Sequence, residues 1–599
     1  MPNTLTDLIV KQALRYGDRP VFAYKTSLDG EWIDCSWNCF SHQVDTIACA
    51  LEILGLEEKD AIAVFSSNRP EILVTDFAAY ANRVVPVSIY ATSTRSQVEY
   101  IIKDASARML FVGDRKQYEI ARALDVPGLQ IITYDDIPCD EGDTTTMSFS
   151  KLMKLGECAS DDCHDAVEGR RRRATADDIA TLIYTSGTTG EPKGAVLTHS
   201  CFNAAMEIHR ERLTSLSDKD TSVCFLPLSH IFEKAWTYFC MYMGMKVYIN
   251  FDVHDIQRTV RQVKPTCMCS VPRFWEKVYT AVQEKMGAMK GFRRMMVNMA
   301  LKVGRRRNLD YVRMGRKVPP LLEMQYRFFY KKVFLPMQRV IGIQHGNIFP
   351  TAGAPLSSNI VEFMHSCGIN IVIGYGLSET TATVTCYPYV GYEIGTVGTV
   401  MPRVRVRLGE NNEILVKGPT VMRGYLNKPE ATAEAFTDDG WFRTGDAGRI
   451  DESGALILTE RIKDLFKTSN GKYIAPQAIE SRLGEDPYIE QVAVIGDQRK
   501  FVSAIIVPAY EALKEYAAKK KIQYGSLEDL LKNSEIIKLI QERIERLQRG
   551  FASFEQIKRF TLLPHAFSME SGELTNTLKI RRPVINRRYA REIEAMYSY

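Results

Sequence analysis

One stretch constrains this chain more than any other: Tyr184-Thr185-Ser186-Gly187-Thr188-Thr189-Gly190-Glu191-Pro192-Lys193-Gly194. It follows Ala180-Thr181-Leu182-Ile183, a short apolar and β-branched run that reads as a strand. Three glycines, a proline and four hydroxyl residues then make a loop whose backbone N–H groups can face outward. Consecutive free N–H groups form an anion-binding nest, to which the hydroxyls and Lys193 add donors and charge. The ligand that suits such a loop is a polyphosphate. A P-loop of the GxxxxGK[ST] type is a different object, because Gly194 rather than Ser or Thr follows Lys193.

The surroundings of that loop read as layered α/β structure. Strand-like runs at 61–66, 84–89 and 109–112 alternate with helix-like stretches such as 95–104, which argues for largely parallel sheets. Beyond residue 390 the texture changes to short strands at 403–408, 413–416 and 455–458, as in a small, more antiparallel subdomain. A last section has strands at 491–495 and 503–507. It also has a helix with Ile537, Ile540, Ile544 and Leu547 on one face and Gly550 placed to stop it. With 599 residues the chain exceeds what one hydrophobic core supports. The expectation is a large N-terminal domain, 1–460, of layered α/β subdomains plus a small β-rich subdomain. A small mobile α+β C-terminal domain, 461–599, follows it.

Composition narrows the class. A net charge of +5 is small for this length and does not by itself call for nucleic acid. The thirteen cysteines are odd in number and never repeat as paired ligands, so reduced thiols and no structural zinc are expected. The first residues lack the basic-then-apolar order of a secretory signal. No apolar run reaches spanning length, and the longest, 235–245, reads as buried core. The expected location is the cytoplasm.

Three further strings carry chemistry. Gly374-Tyr375-Gly376-Leu377-Ser378-Glu379-Thr380-Thr381 follows an apolar run, and its glycines let backbone pass close to a ligand. Tyr375 offers a flat face to a base, and Glu379 a hard oxygen ligand. In Trp441-Phe442-Arg443-Thr444-Gly445-Asp446, one carboxylate can accept from two vicinal hydroxyls. Leu574-Thr575-Asn576-Thr577-Leu578-Lys579-Ile580-Arg581-Arg582 sets a lysine among basic residues near the C-terminus.

Together and in this order these elements resemble the adenylate-forming superfamily of acyl-CoA synthetases, luciferases and nonribosomal peptide adenylation domains. The resemblance implies a nucleotide site made of Thr185, Ser186, Gly187, Thr188, Thr189, Gly190, Lys193, Gly353, Tyr375, Gly376, Thr380, Asp446 and Arg461. Thr185 and Glu379 would hold Mg²⁺, Tyr375 would lie against adenine and Thr380 would reach the α-phosphate. Asp446 and Arg461 would hold the ribose. Lys579 would bridge the acyl carboxylate and the α-phosphate, an ammonium on a flexible stem being suited to delivery by a moving domain. Glu379, His230 and Lys579 are the implied catalytic residues.

The string Glu460-Arg461-Ile462-Lys463-Asp464-Leu465-Phe466, continuing through Pro476, is most similar to long-chain fatty acyl-CoA synthetases. So are Leu226-Pro227-Leu228-Ser229-His230-Ile231-Phe232-Glu233 and Thr351-Ala352-Gly353-Ala354-Pro355-Leu356. The subgroup implies His230 beside the acyl carboxylate, a hinge at Lys463, and Ser469, Asn470, Gly471, Lys472 and Tyr473 along CoA. Where some relatives carry a tryptophan gate this chain has Lys234, with Trp236 two residues on, so the gate stays unassigned. The implied reaction is ATP- and Mg²⁺-dependent activation of a fatty acid to acyl-AMP, then thioester formation with CoA. A fatty acyl-AMP ligase loading a carrier protein, an aryl or short-chain acid–CoA ligase and a noncatalytic acyl-nucleotide sensor are the alternatives.

One segment lies outside these motifs. Residues 290–317 hold ten basic side chains and one acid, Asp310, interleaved with apolar residues. A helix lying on the anionic inner membrane face suits that pattern, with arginines packed on protein neighbours as the competing reading. No nucleic-acid recognition motif accompanies the charge.

Overall fold

The strand that leads to the phosphate loop, Ile179–Thr185, lies near one edge of a seven-stranded sheet. The order across it is Thr146–Ser148, Gln130–Thr133, Ala107–Val112, Ala61–Phe65, Val85–Ile89, Ile179–Thr185 and Lys193–Thr198. Neighbours run parallel except for the last pair, which is antiparallel across the loop. Every residue of Ala61–Phe65 and Val85–Ile89 is buried, as both faces of a parallel sheet are covered. The helix after Val85–Ile89, Arg95–Ala105, starts at a capping box between Thr94 and Gln97, which gives it a sharp beginning. This computed structural model describes residues 4–137, 145–185, 191–461, 466–469, 472–569, 571–575 and 579–598, with backbone only at His254, Glu460, Arg461 and Tyr473.

Three four-stranded sheets complete the large N-terminal part among the described residues. One runs Thr221–Cys224, Lys246–Ile249, Pro20–Tyr24, Ile33–Ser36, and another Phe349–Thr351, Ile371–Tyr375, Thr385–Cys386, Thr399–Val400. The third is antiparallel throughout, Arg405–Leu408, Glu413–Lys417, Phe442–Ile450, Leu456–Arg461, and is the small β-rich unit foreseen beyond residue 390. The smaller C-terminal part packs helices on a three-stranded sheet of Ile489–Ile495, Val502–Pro508 and Ile557–Leu562. The fold is therefore mixed α/β with a large and a small part.

The long C-terminal helix, Ser534–Leu547, corrects one expectation. It buries Ile536, Leu539, Ile540 and Ile544, while Ile537 is 42% exposed. The apolar stripe starts one residue earlier than the 3/4 spacing from Ile537 suggests. The helix also ends at Leu547, and Gly550 closes a separate 3-10 turn, Gln548–Gly550.

The apolar run 235–245 is largely buried, in the helix Ile231–Met243 and the turn at Gly244 and Met245 that follows it. That helix carries a buried charge: Lys234 Nζ lies 2.6 Å from Asp76 Oδ2, and both side chains are 1% exposed. The Tyr238 hydroxyl donates to the same Asp76 oxygen at 2.9 Å, and Tyr80 meets Tyr238 at 3.0 Å. A burial this complete stabilises only as a pair, because either charge alone would be left without water or partner. Among the described residues no helix is long and apolar enough to cross a membrane.

Candidate active site

Strand ends and turns bring most of the described expected residues to one continuous cavity of about 2920 Å³. Thr185 closes its strand opposite Lys193, and its hydroxyl donates to the Lys193 carbonyl at 3.5 Å. Both line the cavity. The loop between them, Ser186, Gly187, Thr188, Thr189 and Gly190, lies outside the described residues.

The second wall comes from Ile371–Tyr375 and the 3-10 turn Ser378–Thr380. Gly376 is needed there, since a Cβ would fall 1.3 Å from the Ala382 carbonyl oxygen. The Tyr375 hydroxyl donates to Asp446 Oδ2 at 2.7 Å, so a fixed bond ties the ring expected against the base to the expected ribose acceptor. Asp446 itself stands opposite Arg461 across antiparallel strands, so the two expected ribose contacts share one strand pair; the Arg461 side chain is outside the described atoms. Gly353 lines the cavity just past Phe349–Thr351 with a left-handed φ of 95°, a conformation glycine adopts without cost.

Glu379 is buried and lines the cavity. Its Oε1 accepts from the Tyr425 hydroxyl at 2.9 Å, and Lys193 Nζ lies 5.1 Å from the Tyr425 ring centre. Burial and then the Glu379 charge raise the Tyr425 phenol well above its ordinary range, so it stays a donor. Tyr425 is held by backbone bonds of 423–426 to the strand leaving the phosphate loop, and Met422 N–H donates to the Glu379 carbonyl at 2.7 Å. Sequence reading missed it, because a tyrosine outside any motif gives no signal.

Thr380 is a correction. Its hydroxyl donates to the Leu377 carbonyl at 3.1 Å and accepts from the Leu377 N–H at 3.0 Å. It is fully buried in its own turn and does not line the cavity, whereas Ser378 does. The hydroxyl that faces the cavity from this motif is that of Ser378, two residues earlier.

His230 is the N-cap of Ile231–Met243. Its Nδ1 accepts from the Phe232 N–H at 3.2 Å, which leaves Nε2 as the protonated, donating nitrogen of a neutral ring. Burial and then the nearby positive charge of Lys579 lower its pKa to about 4. The loop before it is clamped twice. Asn68 donates to Leu226 O at 2.7 Å and accepts from Leu228 N at 2.8 Å, and Glu233 accepts from Leu226 N at 3.0 Å. Glu233 also accepts from Thr237 at 3.2 Å and Cys269 at 3.3 Å. Desolvation outweighs these bonds and raises the Glu233 carboxyl to about 7.

From the small part Lys579 enters the same cavity, together with Thr575 and Arg581. Ser469 and Lys472 do not reach it: Ser469 N–H donates to Arg499 O at 2.9 Å, and Lys472 Nζ lies 5.6 Å from the Phe554 ring centre. Lys463, Asn470 and Gly471 are outside the described residues, as is the Tyr473 side chain.

Away from the nucleotide residues the cavity wall is helical and largely apolar, with Glu276, Lys277, Lys285, Arg293 and Lys332 also along it. Phe232 and Trp236, one turn apart, face it from Ile231–Met243, while Lys234 turns the other way to Asp76. Trp236 is fixed by its Nε1–H to Ser222 at 3.0 Å. Val278 and Met286 from Pro272–Ala288, Met296 and Leu301 from Gly291–Arg305, and Met337 from Leu335–Ile341 continue the wall.

The donors expected for a metal, Thr185 and Glu379, are both oxygen and share this cavity beside the phosphate loop, which suits Mg²⁺. No cluster of three His, Cys, Asp or Glu among the described residues would hold an ion alone, so phosphate and water oxygens would complete the shell.

Residues 9–426 match the AMP-binding enzyme family, and residues 463–599 match the AMP-binding enzyme C-terminal domain. A long-chain-fatty-acid–CoA ligase of Mycobacterium bovis, FadD15, is 32% identical over 586 residues, covering 96% of this chain and 94% of that protein. Human long-chain-fatty-acid–CoA ligase 1 is 30% identical over 566 residues, covering 90% and 78%. Among solved structures, the A-PCP didomain of a carboxylic acid reductase from Segniliparus rugosus in complex with AMP superposes with a TM-score of 0.77 at 19% identity, covering 100% of this chain and 82% of that one. An anthranilate CoA ligase in complex with anthranoyl-AMP gives 0.73 at 17% identity, covering 99% of each. At those identities the structural likeness speaks for the fold alone.

Proposed function

The chain belongs to the AMP-binding enzyme family, and on that premise we propose that it is an AMP-forming long-chain fatty acid–CoA ligase. Adenylation must bring a carboxylate to a triphosphate that repels it, neutralise charge at the α-phosphorus and release pyrophosphate. The observation that carries the proposal is that Lys579, His230, Glu379 and Asp446 line one cavity that continues into a largely apolar helical end.

In this reading the ribose rests on Asp446, which Tyr375 steadies while its ring faces the base. Lys193 and the phosphate loop meet the triphosphate. When bound, Mg²⁺ would supply positive charge to the phosphates from Glu379 and Thr185. The neutral His230 offers Nε2–H to one carboxylate oxygen of the acid, which orients the other toward the α-phosphorus. Lys579 lies between carboxylate and phosphate, its ammonium offsetting the charge that develops between them. The acyl chain occupies the helical end, along its run of apolar side chains.

After pyrophosphate leaves, the small part turns about Lys463 and carries Lys579 out. Ser469 and Lys472, which stand away from the cavity here, would then approach the pantetheine arm of CoA with the rest of their loop, and the thiol attacks acyl-AMP with release of AMP. Pyrophosphate release measured with acids from acetate to stearate, with and without CoA, tests the assignment. The expected result is release that rises with chain length and AMP release that needs CoA. Release confined to aryl or short acids, or AMP formation only with a carrier protein, would overturn it.

We also propose that the basic segment lies on anionic lipid. In the helix Gly291–Arg305, Phe292, Met295 and Met299 are 69%, 51% and 47% exposed, beside exposed Lys290, Arg293, Lys302 and Arg306. Other arginines here are spent internally: Arg307 pairs with Glu323 at 2.7 Å and Arg313 with Glu393 at 2.8 Å. Flotation with anionic vesicles but not with neutral ones is the expected result. Equal behaviour with both would remove the membrane from the picture.

A further inference from the structure

An ammonium on a four-carbon stem is only as well aimed as the backbone beneath it. Lys579 stands on a short hairpin. Thr575 N–H donates to Lys579 O at 2.8 Å, Lys579 N–H donates to Thr575 Oγ1 at 3.0 Å, and Leu574 bridges Ile580. At its base, Arg581 N–H donates to the carbonyl of Glu573 at 2.8 Å.

Glu573 is 1% exposed, and its carboxylate is saturated with donors from outside the hairpin. Oε2 accepts from the Ser568 N–H at 3.0 Å and from the Ser571 hydroxyl. Oε1 accepts from the Tyr589 hydroxyl and faces Arg588 Nε at 3.3 Å. Tyr589 in turn meets His565 Nε2 at 2.9 Å and lies buried in the small part's second core. Desolvation would push the Glu573 carboxyl up, yet these bonds together hold it below its usual range. A buried carboxylate is costly unless each oxygen is satisfied, and this one is satisfied on both sides of the hairpin's root. Glu573 itself does not line the cavity.

We propose that Glu573 is a positioning residue for Lys579: its carboxylate fastens the root of the paired segments 574–575 and 579–580 to the helix Arg582–Arg588 and Tyr589, and so fixes where the ammonium arrives in adenylation. This rests on the reading of Lys579 as the adenylation cation. Thioester formation, for which Lys579 has left the cavity, does not need the anchor.

The test is Glu573→Gln with the two half-reactions measured separately, beside Lys579→Ala and the unaltered enzyme, and with thermal melting to show that each is folded. Glu573→Gln keeps the volume but sets an amide N–H₂ against a donor. Pyrophosphate release should fall about 10- to 100-fold, as a catalytic group misplaced by about an ångström gives. Thioester formation from preformed acyl-AMP should be kept. If Glu573→Gln is unstable, Tyr589→Phe removes one donor and should show the same split, at about 2- to 10-fold. Equal losses in both half-reactions, or none, while Lys579→Ala retains its split, would overturn the anchor and leave the lysine standing. No split in Lys579→Ala would overturn both.

Discussion

The two ends of the cavity are built on different plans. At the nucleotide end each group hangs within a few residues of a strand: Thr185 closes one, Tyr375 ends another, Glu379 follows it by a single turn and Asp446 lies inside a hairpin. At the acyl end the wall is a set of helix faces contributing the apolar side chains of Val278, Met286, Met296, Leu301 and Met337, which carry no N–H or O–H to donate. Chemistry is thus concentrated in a few irreplaceable atoms, and fit is spread over many exchangeable ones. Damage at the first end should strike every acid alike, and damage at the second should be graded by chain length.

Lys579→Ala is the strongest way to try to break that division. Pyrophosphate release should drop about 10²–10³-fold for every acid, with ligation of preformed acyl-AMP kept. A loss that varied with chain length would contradict it. Asp446→Ala comes next, removing the ribose acceptor and the partner of Tyr375. Hydrogen bonds to a charged group are worth about 1.5–3 kcal/mol, so kcat/KM for ATP should fall about 10- to 100-fold, again independently of the acid.

Glu233→Gln probes the seam between the two ends. In the fold this carboxyl prefers its proton up to a pH of about 7, against an ordinary 4.5. The stability this preference adds is therefore complete below 4.5 and is lost as pH rises through 7. The unaltered enzyme should lose on the order of 2 kcal/mol across that window relative to Glu233→Gln, read as the difference between their urea midpoints at each pH. Parallel curves for the two would show that the carboxyl titrates normally.

Val278→Trp tests the acyl wall. Activity on stearate should fall about tenfold, since each methylene excluded from an apolar pocket is worth about 1–3 kcal/mol, while activity on hexanoate stays. A uniform loss would mean that the wall also positions the carboxylate. Smallest is Tyr425→Phe, which removes one bond to Glu379 and should slow adenylation about 2- to 10-fold, measured by pyrophosphate release.

What could be read in advance follows the same division. The strand, loop and turn residues of the nucleotide end sit in short strings whose order carries information, so the meeting of Thr185, Tyr375, Glu379 and Asp446 at one cavity was legible. Thr380 was misread because hydroxyls two residues apart in a tight turn face opposite ways, and only the fold decides that Ser378 is the one turned outward. Tyr425 was invisible, since its role comes from backbone pairing with a strand more than two hundred residues earlier. Ile537 was misplaced because Ile536 and Ile537 fit a helical period equally well. The acyl wall was illegible in principle: apolar residues on three helices read as core whether they enclose a fatty chain or one another.

The buried pair of Lys234 and Asp76 gives the chain an asymmetric tolerance to change. Losing either partner strands an uncompensated ion in the core, at a cost of about 3–5 kcal/mol, while exchanging both for apolar residues of similar bulk can be neutral or better. A survey of single substitutions would therefore rank both positions among the least forgiving in the molecule, and only a library varying them jointly would reveal an open route. Any lineage that leaves this arrangement has to change the two together, which makes it a slow-moving fixture of the helix that also carries Phe232 and Trp236.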